Sequence, residues 1–295
     1  MLAVNAPSVG SPLDVVNLSR LMERTAGRPE VGIGLIDGPV AANHPDLATA
    51  SIRLSSQGAG PATGAAGAHG TYVAGILSAR RASAAPAICP GCTLLVRPIF
   101  LEPAPGNADT PSASPGELAD AIVDCIESGV RILNLSVALA TPSPNQEPKL
   151  EQVLDHAAAR GAIVVAAAGN QGTLGGSAII RHPWVIPVAA CDAAGRPMAT
   201  SNLGSSIARR GLRAPGDAVT SLGINGQPFT SGGTSAAAPF VTGTIALLWS
   251  MFPEASTAEI KSAVVRADLR RASVVPPLLD AWAAYTLMFN RRAHG

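Results

Sequence analysis

Val31-Gly-Ile-Gly-Leu-Ile-Asp37 is an uninterrupted apolar run that ends in an acidic residue. A run of this length without alternation is typical of a strand that is buried on both faces, as in a parallel sheet. Gly38 and Pro39 follow at once and indicate a turn. The stretch therefore predicts a central parallel strand that carries Asp37 at its carboxyl end.

Strand and helix patterns alternate along the rest of the chain. Further strands are predicted over 93–100, 130–137, 162–168, 187–190 and 218–221, and helices over 69–79, 116–128, 150–160 and 234–251. This alternation predicts an α/β fold with a mostly parallel central sheet covered by helices on both faces. Ligands bind at the carboxyl ends of the strands in such folds. Asp37, Ser136 and Asn170 lie at or just beyond predicted strand ends.

Composition excludes several classes of function. Hydrophobic residues make up 47% of the 295 residues and charged residues 14%, which indicates a compact globular chain. The net charge is +1 and Lys and Arg form no basic stripe, so we expect no nucleic-acid partner. The longest apolar stretches, 161–169 and 244–252, are shorter than the ~20 residues that span a bilayer, so we expect no membrane role.

The amino-terminal segment, 1–20, lacks a basic region followed by an apolar core, so it is not a secretory signal. This favours a cytoplasmic location. A secreted chain from which a signal and a propeptide had been removed would begin in the same way.

Four cysteines are present: Cys89, Cys92, Cys125 and Cys191. The C-x-x-C spacing of the first two is compatible with half a zinc site, a redox pair or a local disulfide. A second C-x-x-C, or a histidine pair with matching spacing, is missing from the sequence, so we expect no metal there. Cys125 and Cys191 lie among apolar residues and are expected to be core residues.

Four short segments carry the residues of nucleophilic catalysis: Asp37-Gly-Pro-Val40, His69-Gly-Thr71, Ala168-Gly-Asn170 and Gly233-Thr-Ser-Ala-Ala-Ala-Pro239. A serine hydroxyl needs an imidazole to take its proton, a carboxylate to orient that imidazole, and donors for the oxyanion. Alone, each residue has an ordinary explanation as a turn or helix-cap residue. Their joint occurrence in this order favours a serine hydrolase.

These segments resemble the signature blocks of the subtilisin-like serine proteases, the subtilase family, whose triad has the same order of Asp, His and Ser. The resemblance extends from about Pro12 to Leu287 and implies a single peptidase domain over 1–295. Its most specific motifs are HPDL from His44, HGTYVAGI from His69, NLS from Asn134, AAAGN from Ala166 and GTSAAAPFVTG from Gly233.

The resemblance implies a role for each matching residue. Ser235 would be the nucleophile, His69 the general base and then acid, and Asp37 the group that orients His69. Asn170 would donate its amide to the oxyanion beside the Ser235 N–H. Two segments would bind an extended peptide or protein substrate: Ser136, Val137 and Ala138 by β-pairing, and Ala167, Ala168 and Gly169 as a pocket wall.

The chain also departs from the family pattern. Gly38 replaces the usual hydroxyl residue after the catalytic Asp, so the orientation of Asp37 must come from elsewhere. Tyr72, Ala236 and Phe240 replace other common residues, and Ala138-Leu139 replaces a Gly-rich substrate edge. The segment that follows the His69 helix lacks the loop of the family's calcium site, and Asp46 alone remains of it. We therefore expect no cofactor and disfavour structural calcium.

The Asp-Gly-Pro-Val segment and the missing secretion signal resemble a narrower group, the proteases of cyanobactin-type pathways, which trim ribosomal precursor peptides. The alternative is a catalytically silent subtilase fold that binds peptides. A dinucleotide-binding loop is disfavoured because the glycines of 32–38 lie inside the strand and have the wrong spacing. The sequence leaves the oligomeric state open.

Overall fold

The computed structural model describes residues 10–57, 60–100, 113–136, 147–265 and 273–293. The strands are β1 Gly32–Asp37, β2 Ser51–Leu54, β3 Thr93–Pro98, β4 Ile132–Leu135, β5 Ile163–Ala167, β6 Ile186–Cys191, β7 Leu212–Pro215, β8 Val219–Leu222 and β9 Pro228–Ser231. The helices are α1 Pro12–Val15, α2 Leu18–Met22, α3 Gly64–Ser78, α4 Pro115–Glu127, α5 Pro148–Ala159, α6 Ala178–Arg181, α7 Ser205–Arg210, α8 Thr234–Met251, α9 Thr257–Val265 and α10 Ala281–Ala293.

Seven strands form one sheet in the order β2-β3-β1-β4-β5-β6-β7, and all six pairings are parallel. β1 lies inside the sheet between β3 and β4, and five of its six residues are buried. The predicted α/β fold with a parallel central sheet is confirmed. The carboxyl ends of β1, β4 and β5 lie side by side because these strands are neighbours in register.

The predicted strand over 218–221 exists as β8, but it pairs antiparallel with β9 and lies outside the main sheet. β2, β7 and β9 are not predictable from the sequence pattern. β2 is an edge strand whose residues are mostly exposed, so it shows no apolar run. β9 is likewise mostly exposed.

Helices cover both faces of the sheet. On one face α3 and α8 pack against each other and against the strands, and their buried residues belong to one apolar cluster with those of α9 and α10. On the other face α4 and α5 pack together over a second cluster. α4 begins with Pro115 and a capping box in which Ser114 and Glu117 bond to each other's backbone N–H.

α8 has the bounds predicted from the sequence and is the central helix of the core. Within the described residues it is the one helix whose length and apolar composition would suit a bilayer, and 89% of it is buried inside the protein. Its apolar character is therefore explained by packing against β4, β5, β6 and β7.

Candidate active site

Asp37 and His69 lie in direct contact. Asp37 ends β1 and is fully buried, and its Oδ1 lies 2.6 Å from His69 Nδ1. Because a carboxylate only accepts, Nδ1 carries the proton, which leaves Nε2 unprotonated as a base in the neutral ring. The His69 side chain is 35% exposed, so the base is open to a substrate while its carboxylate partner is not.

Two glycines allow this contact. A Cβ on Gly38 would overlap the carbonyl oxygen of Ala66 in α3, and a Cβ on Gly70 would overlap the carbonyl oxygens of Gly38 and Pro39. The turn after β1 therefore lies directly against the backbone of α3. The Gly38 N–H also donates to Asp37 Oδ1 at 2.6 Å, which supplies the orientation that a hydroxyl side chain at position 38 would otherwise provide.

The sequence pattern predicts that His69 lies at the start of its helix, and this prediction is wrong. α3 begins five residues earlier, at Gly64, so His69 lies in the second turn. The small residues of 64–68 gave no amphipathic signal, yet their size is what allows close packing: a Cβ on Gly67 would overlap the backbone of Ala62.

The negative charge of Asp37 raises the pKa of His69 above 6.5, and the hydrogen bond between them adds to this effect, whereas burial opposes it. The protonated imidazolium is therefore stabilised by the same carboxylate that orients the neutral ring.

Ser235 is the second residue of α8, and its carbonyl has an unusual partner. An α-helical carbonyl normally accepts from the N–H four residues on, which here would be Pro239, and proline has no N–H. The hydroxyl of Ser136 donates to the Ser235 carbonyl instead, at 3.1 Å. Ser136 in turn accepts from the amide of Asn134, whose oxygen accepts from Thr242 in α8.

Asn170 lies beside the segment that carries Ser235. Its Oδ1 accepts from the Thr234 N–H at 2.8 Å, so its Nδ2 remains the donor end of the amide. Gly233 has a φ of +101°, and a Cβ there would lie 2.9 Å from Asn170 Nδ2. Glycine at 233 is therefore required both by the backbone conformation and by the approach of Asn170. Asn170 itself is exposed.

The two halves of the site, Asp37 with His69 and Asn170 with the Ser235 segment, are joined through Tyr72. Its hydroxyl contacts the carbonyls of Val219 and Ser231, and its own carbonyl accepts from Ser221. α3 is thereby tied to the β8–β9 pair that leads into α8. No hydrogen bond joins His69 to Ser235 within the part of the chain that is described, and such bonds commonly tighten only with substrate.

The predicted substrate-binding residues divide into two sets. Ser136, Ala167 and Ala168 are buried at the carboxyl ends of β4 and β5, next to Gly169. Val137 and Ala138 lie outside the described residues. The hydroxyl of Ser136 is already used within the protein, so its side chain supports Ser235 and its backbone remains the part that could pair with a substrate.

The described residues contain no group of three or more His, Cys, Asp or Glu side chains that could hold a metal ion. Asp46 instead pairs with the guanidinium of Arg80, whose backbone N–H donates to the Asp46 carbonyl at 2.8 Å. All four cysteines are buried and free, including Cys89 and Cys92, which face each other across a turn closed by a 3.0 Å backbone bond.

Several residues that support the site have no distinct signal in the sequence. Asn134 and Pro239 are visible only as parts of motifs, and no pattern marks Asn202. Asn202 lies far from any catalytic motif in the chain, so no spacing pattern points to it.

The family profile that matches this chain is that of the subtilases, and subtilisins are among its sequence relatives. The sequence profile of the Subtilase family matches residues 28–279. Subtilisin DY of Bacillus licheniformis is 30% identical over 237 residues, which cover 79% of this chain and 81% of that protein. Subtilisin J of Geobacillus stearothermophilus is 27% identical over 239 residues, which cover 78% of this chain but 58% of that protein.

Solved structures match over nearly the whole chain. The prenylagaramide maturation protease PagA has a TM-score of 0.80 and 26% identity, covering 92% of this chain and 98% of that one. The patellamide maturation protease PatA has a TM-score of 0.78 and 27% identity, covering 90% and 98%. Family profile, sequence relatives and fold agree: this chain belongs to the subtilase family.

Proposed function

We propose that this chain is a serine endopeptidase that cleaves ribosomal precursor peptides, with Ser235 as its nucleophile. Membership of the subtilase family supports the reaction. The substrate class is supported by the similarity to PagA and PatA, which are maturation proteases of the prenylagaramide and patellamide peptides. The fit of the fold over nine-tenths of the chain makes these relatives a better guide than the subtilisins alone.

The observation that carries the proposal is the 2.6 Å contact between buried Asp37 and half-buried His69. In the proposed reaction Ser235 Oγ attacks the scissile carbonyl carbon while its proton passes to His69 Nε2. The imidazolium then protonates the departing amine, which leaves an acyl-enzyme. Water, deprotonated by the same nitrogen, attacks the ester carbonyl, and the imidazolium returns the proton to Ser235 Oγ as the carboxylic acid product leaves.

Two donors would bind the oxyanion that forms on the attacked carbonyl. Asn170 Nδ2 is the free end of an amide whose oxygen is held by Thr234, and the Ser235 N–H lies in the first turn of α8, where N–H groups have no intrahelical partner. An extended substrate would pair with the backbone of Ser136, Val137 and Ala138, and Ala167, Ala168 and Gly169 would line its first pocket.

The assignment of the nucleophile is tested with Ser235→Ala and, as a matched control, Ser205→Ala, which changes an exposed serine on α7. We expect Ser235→Ala to abolish peptide cleavage and labelling by a serine-directed fluorophosphonate, while Ser205→Ala keeps both. Wild-type turnover in Ser235→Ala would overturn the proposal. Peptide binding without turnover or label in the unmodified protein would favour the silent peptide-binding alternative.

The substrate class is tested separately by the cleavage products of a mixed peptide library, identified by mass spectrometry. A precursor-trimming protease is expected to cut at a narrow set of sequences. Broad cleavage would overturn the precursor assignment while leaving the serine endopeptidase intact.

A further inference from the structure

Asn202 is a buried asparagine, 7% exposed, in the loop that follows β6. Both ends of its amide are engaged with one short segment. Oδ1 accepts from the N–H of Gln171 and from the N–H and hydroxyl of Thr173, each at 3.1 Å. Nδ2 donates to the Ala168 carbonyl at 3.2 Å and to Gln171 Oε1 at 2.7 Å. Its backbone N–H donates to the Gly169 carbonyl at 2.9 Å.

These partners flank Asn170 on both sides, and none of them is Asn170 itself. One buried amide thus holds the chain immediately before and immediately after the proposed oxyanion donor. The approach is close: a Cβ on Gly169 would overlap Asn202 Nδ2, and Gly169 has a φ of +106°. Glycine at 169 is what lets the amide reach the backbone.

The segment needs such an anchor. Gly169, Gly172 and Gly175 all have positive φ, and a chain with this many glycines loses much conformational entropy when it is ordered. Asn170 is exposed, so packing does not fix its position. Apart from Thr234, which bonds to Asn170 Oδ1 and to the Gly169 N–H, Asn202 supplies most of the side-chain hydrogen bonds that hold this segment.

We propose that Asn202 is a positioning residue that fixes the Asn170 amide where the oxyanion develops. This inference rests on the proposed function, in which Asn170 is an oxyanion donor. Because the bound substrate carries no oxyanion and the charge develops only on the way to the tetrahedral intermediate, misplacement of Asn170 lowers kcat and leaves KM nearly unchanged. Asn202 itself does not touch the reacting atoms.

The test is a double-mutant cycle of Asn202→Ala and Asn170→Ala, with kcat and KM measured on a peptide p-nitroanilide chosen from the library profile. We expect Asn170→Ala to lower kcat about 10²–10³-fold, the loss measured for this kind of donor in subtilisin. Asn202→Ala is expected to lower kcat about 10- to 100-fold, as displacement by about an ångström does. The double variant should fall no further than Asn170→Ala alone.

Asn225→Ala is the matched control, because Asn225 lies in the exposed turn between β8 and β9 and, among the described residues, its side chain accepts from the Gln227 N–H of that turn. It should leave kcat unchanged. Thermal unfolding of each variant shows that the assay temperature lies below its transition. If Asn202→Ala does not fold, Thr173→Val, which removes one bond to Asn202 Oδ1, enters the same cycle with a smaller expected loss in kcat.

A wild-type kcat in the folded Asn202 variant would overturn the inference. So would a double variant whose loss equals the product of the two single losses, because Asn202 would then act independently of Asn170. If Asn170→Ala itself kept full kcat, the proposed role of Asn170 as an oxyanion donor would be wrong. The cycle therefore distinguishes an error in that role from an error in the positioning role of Asn202.

Discussion

Asp37 presents one oxygen, Oδ1, to both His69 Nδ1 and the Gly38 N–H, each at 2.6 Å, while its buried Oδ2 has no hydrogen-bond partner among the described residues. A single oxygen therefore fixes the plane of the carboxylate, the tautomer of the imidazole and the turn after β1. The negative charge of Asp37 acts on His69 across this contact.

That charge has a measurable effect on the pH profile. The pKa of His69 is raised above 6.5 chiefly by Asp37, and catalysis requires the neutral ring. We therefore expect kcat/KM to be lost as pH falls through a midpoint above 6.5. NMR titration of the His69 ring in the Ser235→Ala protein measures the same pKa, and adding Asp37→Asn should lower it. A pKa at or below 6.5 with Asp37 intact would contradict this assignment.

Gly38 is expected to tolerate no side chain. A Cβ there would overlap the backbone of α3 at Ala66, and a helix backbone cannot move aside as a side chain can. We expect Gly38→Ala to lower the free energy of unfolding by about 1–3 kcal/mol, the usual cost of overpacking, and to lower kcat by separating Asp37 from His69.

The control is Gly116→Ala in α4, where the nearest atom to the new Cβ is Ser114 Oγ at 3.8 Å. Alanine stabilises a helix relative to glycine by up to about 1 kcal/mol, so this variant should be as stable as the parent or more so. Urea unfolding of both variants gives the comparison. If the two variants were equally stable, the backbone of α3 at Ala66 would have to shift to make room for the new Cβ at position 38.

A series of hydrogen bonds runs from Thr242 through Asn134 and Ser136 to the Ser235 carbonyl, and we expect it to contribute to stability. Thr242→Val keeps the shape of the side chain but leaves the buried Oδ1 of Asn134 without its donor. We expect a loss of about 1–3 kcal/mol in the free energy of unfolding, the cost of an unsatisfied buried polar group.

Thr242→Ser retains the hydroxyl, so its free energy of unfolding is expected to fall less than that of Thr242→Val. Both are compared by urea unfolding and by kcat, since a free Asn134 amide also loosens Ser136 beneath Ser235. If Thr242→Val were more stable than Thr242→Ser, these hydrogen bonds would not contribute to stability.

Five of the seven strands of the parallel sheet, β1, β3, β4, β5 and β6, are predictable from the sequence for a physical reason. β1 and β5 are buried on both faces, so their apolar runs are continuous, and α8 is buried on all sides. β2 and β9 escaped prediction because exposed strands need no apolar pattern. Asn202 escaped because its partners are about thirty residues away in the chain, and only the folded loops bring them together. The single domain and the cytoplasmic location stay predictions.

We propose that the fold is independent of calcium, because Arg80 pairs with Asp46, the one residue that would remain of the calcium site that the family resemblance implies. Its guanidinium pairs with the Asp46 carboxylate, and its backbone bonds to the Asp46 carbonyl. A chelator such as EDTA should therefore leave the Tm unchanged, and added Ca²⁺ should not raise it. A fall of several degrees in EDTA would show that a metal ion contributes to stability.

The Arg80 pair itself should contribute little at ordinary temperature. Its side chain is 58% exposed, and exposed ion pairs contribute about 0–1 kcal/mol. Arg80→Ala is therefore expected to lower the free energy of unfolding by less than about 1 kcal/mol, with a smaller loss at high salt. Arg196→Ala, which removes an exposed arginine paired with Asp192, is the matched control and should lower the free energy of unfolding by a similar amount.

The same two variants also test the calcium proposal. If the Tm of Arg80→Ala rose with Ca²⁺ while that of Arg196→Ala did not, the ion would bind in the place that the Arg80 guanidinium occupies in the parent protein, which would support the proposal. A Ca²⁺ response already present in the parent protein would refute it.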